Sequence, residues 1–167
     1  MSGLPPNDRE HSANSRLVNA AAVFVSAATI FYFYTIGVQL YRSYVPASEW
    51  YEVTALEVPD HTKLSNPEIV FGQTVHVPFR GQWVIEYMKK QPTGEFFAVC
   101  TNSGLSNFNV EDTVVRATIR IREFIERVCD VEPGDYLLRG ELRMTRPEWP
   151  AKTVRVWSNE FRIRDEL

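Results

Sequence analysis

Read for the alternation of apolar and polar positions, the chain divides at about residue 42. From Leu17 to Tyr41 there are 25 residues without a charge, bracketed by Arg16 and Arg42. At about 1.5 Å per residue a helix of that length reaches roughly 37 Å, enough to cross a hydrocarbon core of about 30 Å with some tilt. Tyr32, Tyr34, Tyr41 and Tyr44 gather at its C-terminal half, where an interfacial aromatic belt is expected. The run is longer than the apolar region of a signal peptide, and it lacks the charged face of an interfacial helix. The pattern therefore predicts a transmembrane helix over 17–41, behind a disordered tail over 1–16 and ahead of a linker over 42–49. Arg9 and Arg16 before the segment, against Arg42 after it, place the N-terminus in the cytoplasm and the following domain outside it.

Beyond the linker the period changes from helical to twofold, the signature of strands with one buried face. The alternation predicts strands at Trp50–Val58, Gly72–Phe79, Gln82–Lys89, Glu95–Thr101, Val114–Arg122, Asp135–Met144 and Thr153–Ile163. Gln91-Pro92-Thr93-Gly94 has the composition of a hairpin turn. In the last strand Val154 and Val156 fall on one parity and Phe161 and Ile163 on the other, which predicts a bulge near Ser158–Asn159. The TNSGLSNF stretch at 101–108 reads as a loop, and residues 123–130 as a short helical turn or a continuation of the fifth strand. Trp83 and Tyr136 lie on apolar parities and are expected inside. Seven short strands over residues 50–167 make the fold class mainly β, an antiparallel β-sandwich behind one N-terminal transmembrane helix.

Composition narrows the functional classes. The chain has 167 residues, 18 basic and 21 acidic, a net charge of −3. That balance argues against a nucleic-acid-binding surface. No nucleotide-binding glycine loop, G-x-S-x-G elbow or metal-ligand spacing is present, so no catalytic residue, cofactor or metal is expected. His11, His61 and His76 read as solvated or hydrogen-bonded side chains, and Glu111-Asp112 as a solvated turn. Three features remain. Cys100 and Cys129 could pair in an oxidising compartment or stay as two buried thiols. Arg116, Arg120 and Arg122 fall on one strand face and could hold phosphate, lipid headgroups or an acidic partner, or serve as a solvated outer face. Trp149 and Trp157 fall off the core parity or in a loop and could mark a contact surface or cover a sheet edge.

Particular residues also resemble a known family. Trp83 resembles the buried Trp of immunoglobulin-like sandwiches, and Glu132-Pro133-Gly134-Asp135-Tyr136 resembles the turn of a tyrosine corner. One anchor followed by GQWVIEY, FFAVC, PGDY and SNEF resembles small single-pass membrane proteins of bacteriophages and bacteria, a largely uncharacterised group with immunoglobulin-like domains. The order Trp83, Cys100, Cys129 departs from the antibody pattern, so the usual inter-sheet disulfide is absent. The resemblance implies an immunoglobulin-like sandwich in a phage or bacterial envelope setting. The expectation is a membrane-anchored, non-enzymatic module that binds an envelope or virion protein. The alternative is a phage lysis or envelope-disruption factor acting through its transmembrane segment.

Overall fold

The computed structural model describes residues 8–63, 65, 67–117 and 131–165, with the backbone alone for 8–17 and 112–117. Strands dominate it, with one long helix at the N-terminus.

Helix α1 spans Asp8–Tyr44. Its stretch Val18–Tyr44 is long and apolar enough to cross a membrane. Most of the large apolar side chains from Val18 to Tyr44 are exposed, Phe24 and Phe33 included. A long helix that is apolar around its circumference suits lipid rather than water. Three of its hydroxyls find partners inside the helix. Thr29 donates to the Val25 carbonyl (2.8 Å), Thr35 to Tyr32 (2.8 Å) and Ser43 to Gln39 (2.9 Å), as a hydrocarbon surrounding requires. The helix starts earlier than the apolar run, so residues 8–16, expected as disordered tail, are helical backbone. Once a long apolar segment is helical, extending it avoids the cost of nucleation, and residues 8–16 contain neither Pro nor Gly.

The β-domain forms a compact unit from Val45. Part of the expected linker thus belongs to it. A single 3₁₀ turn at Ala47–Glu49 precedes the first strand, and Val45 and Ala47 pack against the core. Nine strands follow among the described residues: β1 Tyr51–Glu57, β2 His61–Thr62, β3 Ile69–Val75, β4 Phe79–Lys90, β5 Phe96–Phe108, β6 Glu111–Ala117, β7 Gly134–Thr145, β8 Lys152–Trp157 and β9 Phe161–Arg164. They form two sheets in a sandwich-like arrangement. One has the order β1-β3-β6, and the other β2-β9-β7-β4-β5 with β8 also paired to β7. Described ladders are antiparallel except β2 with β9, which is parallel.

Most of the expected strands are present. The Gln91–Gly94 turn closes the β4–β5 hairpin, with the Gly94 amide donating to the Gln91 carbonyl (2.8 Å) and φ of 88° at Gly94. Pro78 lies in the crossing between sheets, where no ladder amide is needed. The expected last strand is β8 plus β9, both laid along β7. Arg139 pairs with Trp157 and Tyr136 with Phe161, so two residues of β7 face three of the partner. This is the bulge expected at Ser158–Asn159. The Ser158 hydroxyl completes the ladder there by accepting from the Leu138 amide (2.8 Å). The clearest correction is TNSGLSNF, which is strand. Residues 101–108 form the second half of β5 and pair with β4 up to Phe108. The small polar residues of this last strand of the sheet hid the signal, because strand preference depends on surroundings more than on intrinsic propensity. The helical turn expected at 123–130 lies outside the described residues.

Among the described residues the core forms two clusters. One joins Val58, Ile69, Tyr87, Cys100, Val131, Tyr136, Leu138, Phe161 and Ile163; the other joins Trp50, Tyr51, Val75, Phe79, Leu142 and Met144. Tyr136 is fully buried, and its hydroxyl donates to the Glu132 carbonyl four residues upstream, the contact expected of a tyrosine corner. Trp83 is half-buried and packs against the second cluster.

Candidate functional site

The outer face of the larger sheet is polar and tied across strands. Arg155 pairs with Glu141 (2.8 Å), Arg162 with Asp135 (2.6 Å), and Arg139 with Glu86. Each pair also matches in strand register. Trp157 projects from this face, opposite in parity to Val154 and Val156, and is 53% exposed. The Arg139 guanidinium lies 5.7 Å from its ring centroid, so the cation that Glu86 holds in turn braces the indole. A large exposed ring held in place on a flat sheet face can bind with little loss of side-chain entropy.

Trp149 has a different setting. It is half-buried and meets Trp50 edge to face at 5.6 Å. The sequence Arg146-Pro147-Glu148-Trp149 makes the β7–β8 turn. Pro147 occupies the second position, Glu148 has φ of 63° at the third, and the Trp149 amide donates to the Arg146 carbonyl (3.3 Å). Such a turn brings its first and fourth residues together. The Arg146 guanidinium accordingly lies 5.5 Å from the Trp149 centroid and 5.4 Å from that of Trp50. Lys152 also lies over Trp50, at 5.4 Å, and its ammonium donates to the Val45 carbonyl. Sequence reasoning singled out Trp149 but missed Trp50, Arg146 and Lys152 around it. The R-P-E-W turn was the available signal.

Cys100 is buried in the first cluster and disulfide-bonded. Its expected partner, Cys129, lies outside the described residues. So do Arg120 and Arg122, and Arg116 is described in backbone only, on β6 opposite Val70. The structure therefore does not bring the arginine column together as a described surface. Of the two settings expected for His61, solvated or hydrogen-bonded, the structure shows the second, with the side chain buried. Its ring stacks on Phe161 at 5.4 Å, and Nδ1 donates to the Pro59 carbonyl (2.9 Å).

Between the sheets lies a cavity of about 310 Å³. Val53 and Phe71 line it from one sheet, and Trp83, Ile85, Leu142 and Val156 from the other. Two hydrogen bonds tie polar groups of its lining together. Tyr51 donates to the Gln73 side-chain oxygen (3.0 Å), and the Trp83 indole to Ser106 (3.3 Å). Burial pushes the Tyr51 phenol up to about 12, so it stays a neutral donor at any physiological pH. Such surroundings favour apolar contact over acid–base chemistry.

No family model, curated protein or solved structure matches the chain. The functional reading therefore rests on the helix, the strand order and these side-chain groups.

Proposed function

We propose that the protein is a single-pass, membrane-anchored, non-enzymatic interaction module of the cell envelope, with an immunoglobulin-like domain outside the cytoplasm. Several features support the immunoglobulin-like reading. With β1 and β2 taken as strands A and A′, the later strands become B, C, C′, E and F, and β8 with β9 forms G. The two sheets then read A-B-E and A′-G-F-C-C′, an immunoglobulin-like order. The Tyr136 contact falls near the start of F and Trp83 falls on C, where that family carries its corner tyrosine and its tryptophan. The disulfide at Cys100 favours an oxidising compartment, and hence an extracytoplasmic domain.

The observation that carries the binding role is Trp157, exposed on a sheet face and braced by Arg139. Tryptophan and arginine are enriched among the residues that dominate protein–protein binding. The partner proposed is an envelope or virion protein, and the setting a phage or its bacterial host. A photo-crosslinking side chain at position 157 of the full chain, in native membranes, should give one discrete adduct. The same probe at Thr153, exposed on the same face, should give a weaker one. Equal, diffuse labelling from both positions would remove the binding role. The lysis alternative makes the opposite demand: expression of residues 1–49 alone would permeabilise the host as well as the full chain does.

A further inference from the structure

We infer that the Arg146 guanidinium, clasped by Trp50 and Trp149, binds the phosphate of a lipid headgroup. The inference rests on the reading of α1 as a membrane anchor. Three observations carry it. First, Arg146 is a cation without an anion. Its side chain is half-buried over two indole rings, and no carboxylate among the described residues pairs with it. A guanidinium that meets rings rather than a carboxylate keeps N–H groups available, and its fork matches two phosphate oxygens. Secondly, Lys152 lies over the same Trp50 ring. The cluster thus gathers two cationic side chains around one indole. Thirdly, chain connectivity limits the distance to lipid. Lys152 donates to the carbonyl of Val45, and Val45 directly follows Tyr44, the last residue of the apolar helix. The cluster is thus tethered within one residue of the helix end, where phosphates are the most concentrated anions. Trp149, half-buried beside Arg146, is also a residue type favoured at that interface.

The other groups of this neighbourhood do not replace the lipid. Glu148, in the same turn, has a contact of its own and projects from a backbone position of positive φ. A free phosphate offers the same chemistry but lacks the proximity that the anchor supplies.

The test uses the full chain reconstituted in phosphatidylcholine–phosphatidylglycerol vesicles that carry a headgroup-labelled spin-quencher lipid. Tryptophan quenching reports docking of this end of the domain. Wild type should be quenched, Trp149→Phe should lose most of the quenched component, and Arg146→Gln should lower the docked fraction about fivefold, the usual effect of one cation at an anionic surface. Arg146→Lys keeps the charge without the fork and should fall between them, which serves as a second variant should Arg146→Gln unfold. Quenching unchanged in Arg146→Gln, in a chain that resists alkaline carbonate extraction, would overturn the phosphate site and leave the anchor intact. Extraction of wild type by carbonate would remove the anchor and the inference together. Millimolar inorganic phosphate that abolishes quenching at constant ionic strength would overturn the lipid assignment in favour of a free phosphate.

Discussion

At the scale of single residues, the side chain of Asn159 does the work of a peptide group. Its oxygen accepts from the Val58 amide and its nitrogen donates to the Val58 carbonyl, both at 2.8 Å. Val58 is buried at the point where the chain leaves the smaller sheet, so neither backbone group has water as a substitute. Asn159→Ala should cost about 2–3 kcal/mol, the loss expected when buried backbone groups are left unpaired. Asn159→Asp keeps the shape and the acceptor but loses the donor, and should also destabilise the domain in urea titrations at neutral pH. The parity flip in the sequence located this bulge, yet nothing in the pattern assigned Asn159 a partner 101 positions away. Asp135 provides a pH-dependent counterpart. Arg162 donates to both its oxygens (2.6 and 3.1 Å), and these hydrogen bonds hold the carboxyl below the usual carboxylate range. Its contribution is complete above the unfolded value of about 3.9 and disappears as pH falls through the lower folded value. Asp135→Asn should therefore flatten the acid limb of a stability–pH profile and leave its slope near neutrality unchanged.

At the scale of elements, β5 shows how a strand can be hidden in sequence. Its Gly104 pairs with Trp83, and a Cβ there would lie 2.4 Å from the indole Cζ2. The glycine that looked like a loop residue is the floor on which Trp83 lies. Gly104→Val raises strand propensity and should nevertheless destabilise the domain by about 1–3 kcal/mol, because the ring has to move. A thermal melt that shows stabilisation would mean that propensity outweighs packing at this position. The inter-sheet cavity predicts the opposite sign for a different enlargement. Val156 borders its space, so Val156→Leu should add about 0.8 kcal/mol per methylene buried. The strands with strict alternation, β7 above all, were legible because one face meets the core and the other meets water. The short parallel β2 was not, since two residues carry no period.

At the scale of the whole molecule, the division into an apolar helix and a β-domain was written in the change of hydrophobic period, and both parts are present. The aromatic–cation cluster was less legible because its members come from the start of the domain and from the β7–β8 turn, about a hundred residues apart. Only the fold joins Trp50 to Trp149. Cysteine chemistry connects the domain to its compartment. Cys100 is buried and disulfide-bonded, and the chain contains one other cysteine, Cys129. A bridge between these positions closes a loop of about 30 residues, for which the chain-entropy model gives roughly 3.6 kcal/mol of stabilisation. Such a bond survives in an extracytoplasmic space and not in a reducing cytoplasm. Freshly isolated, unreduced protein should therefore resist thiol labelling, and reduction should lower the melting temperature. In sealed cells an external protease should digest the β-domain and spare the residues before the helix. Labelled thiols in a domain that the protease reaches would abolish the bond and keep the orientation. Labelled thiols in a protected domain would reverse the orientation as well, and would show that one additional arginine on the N-terminal side is too weak a bias to set the topology of this helix.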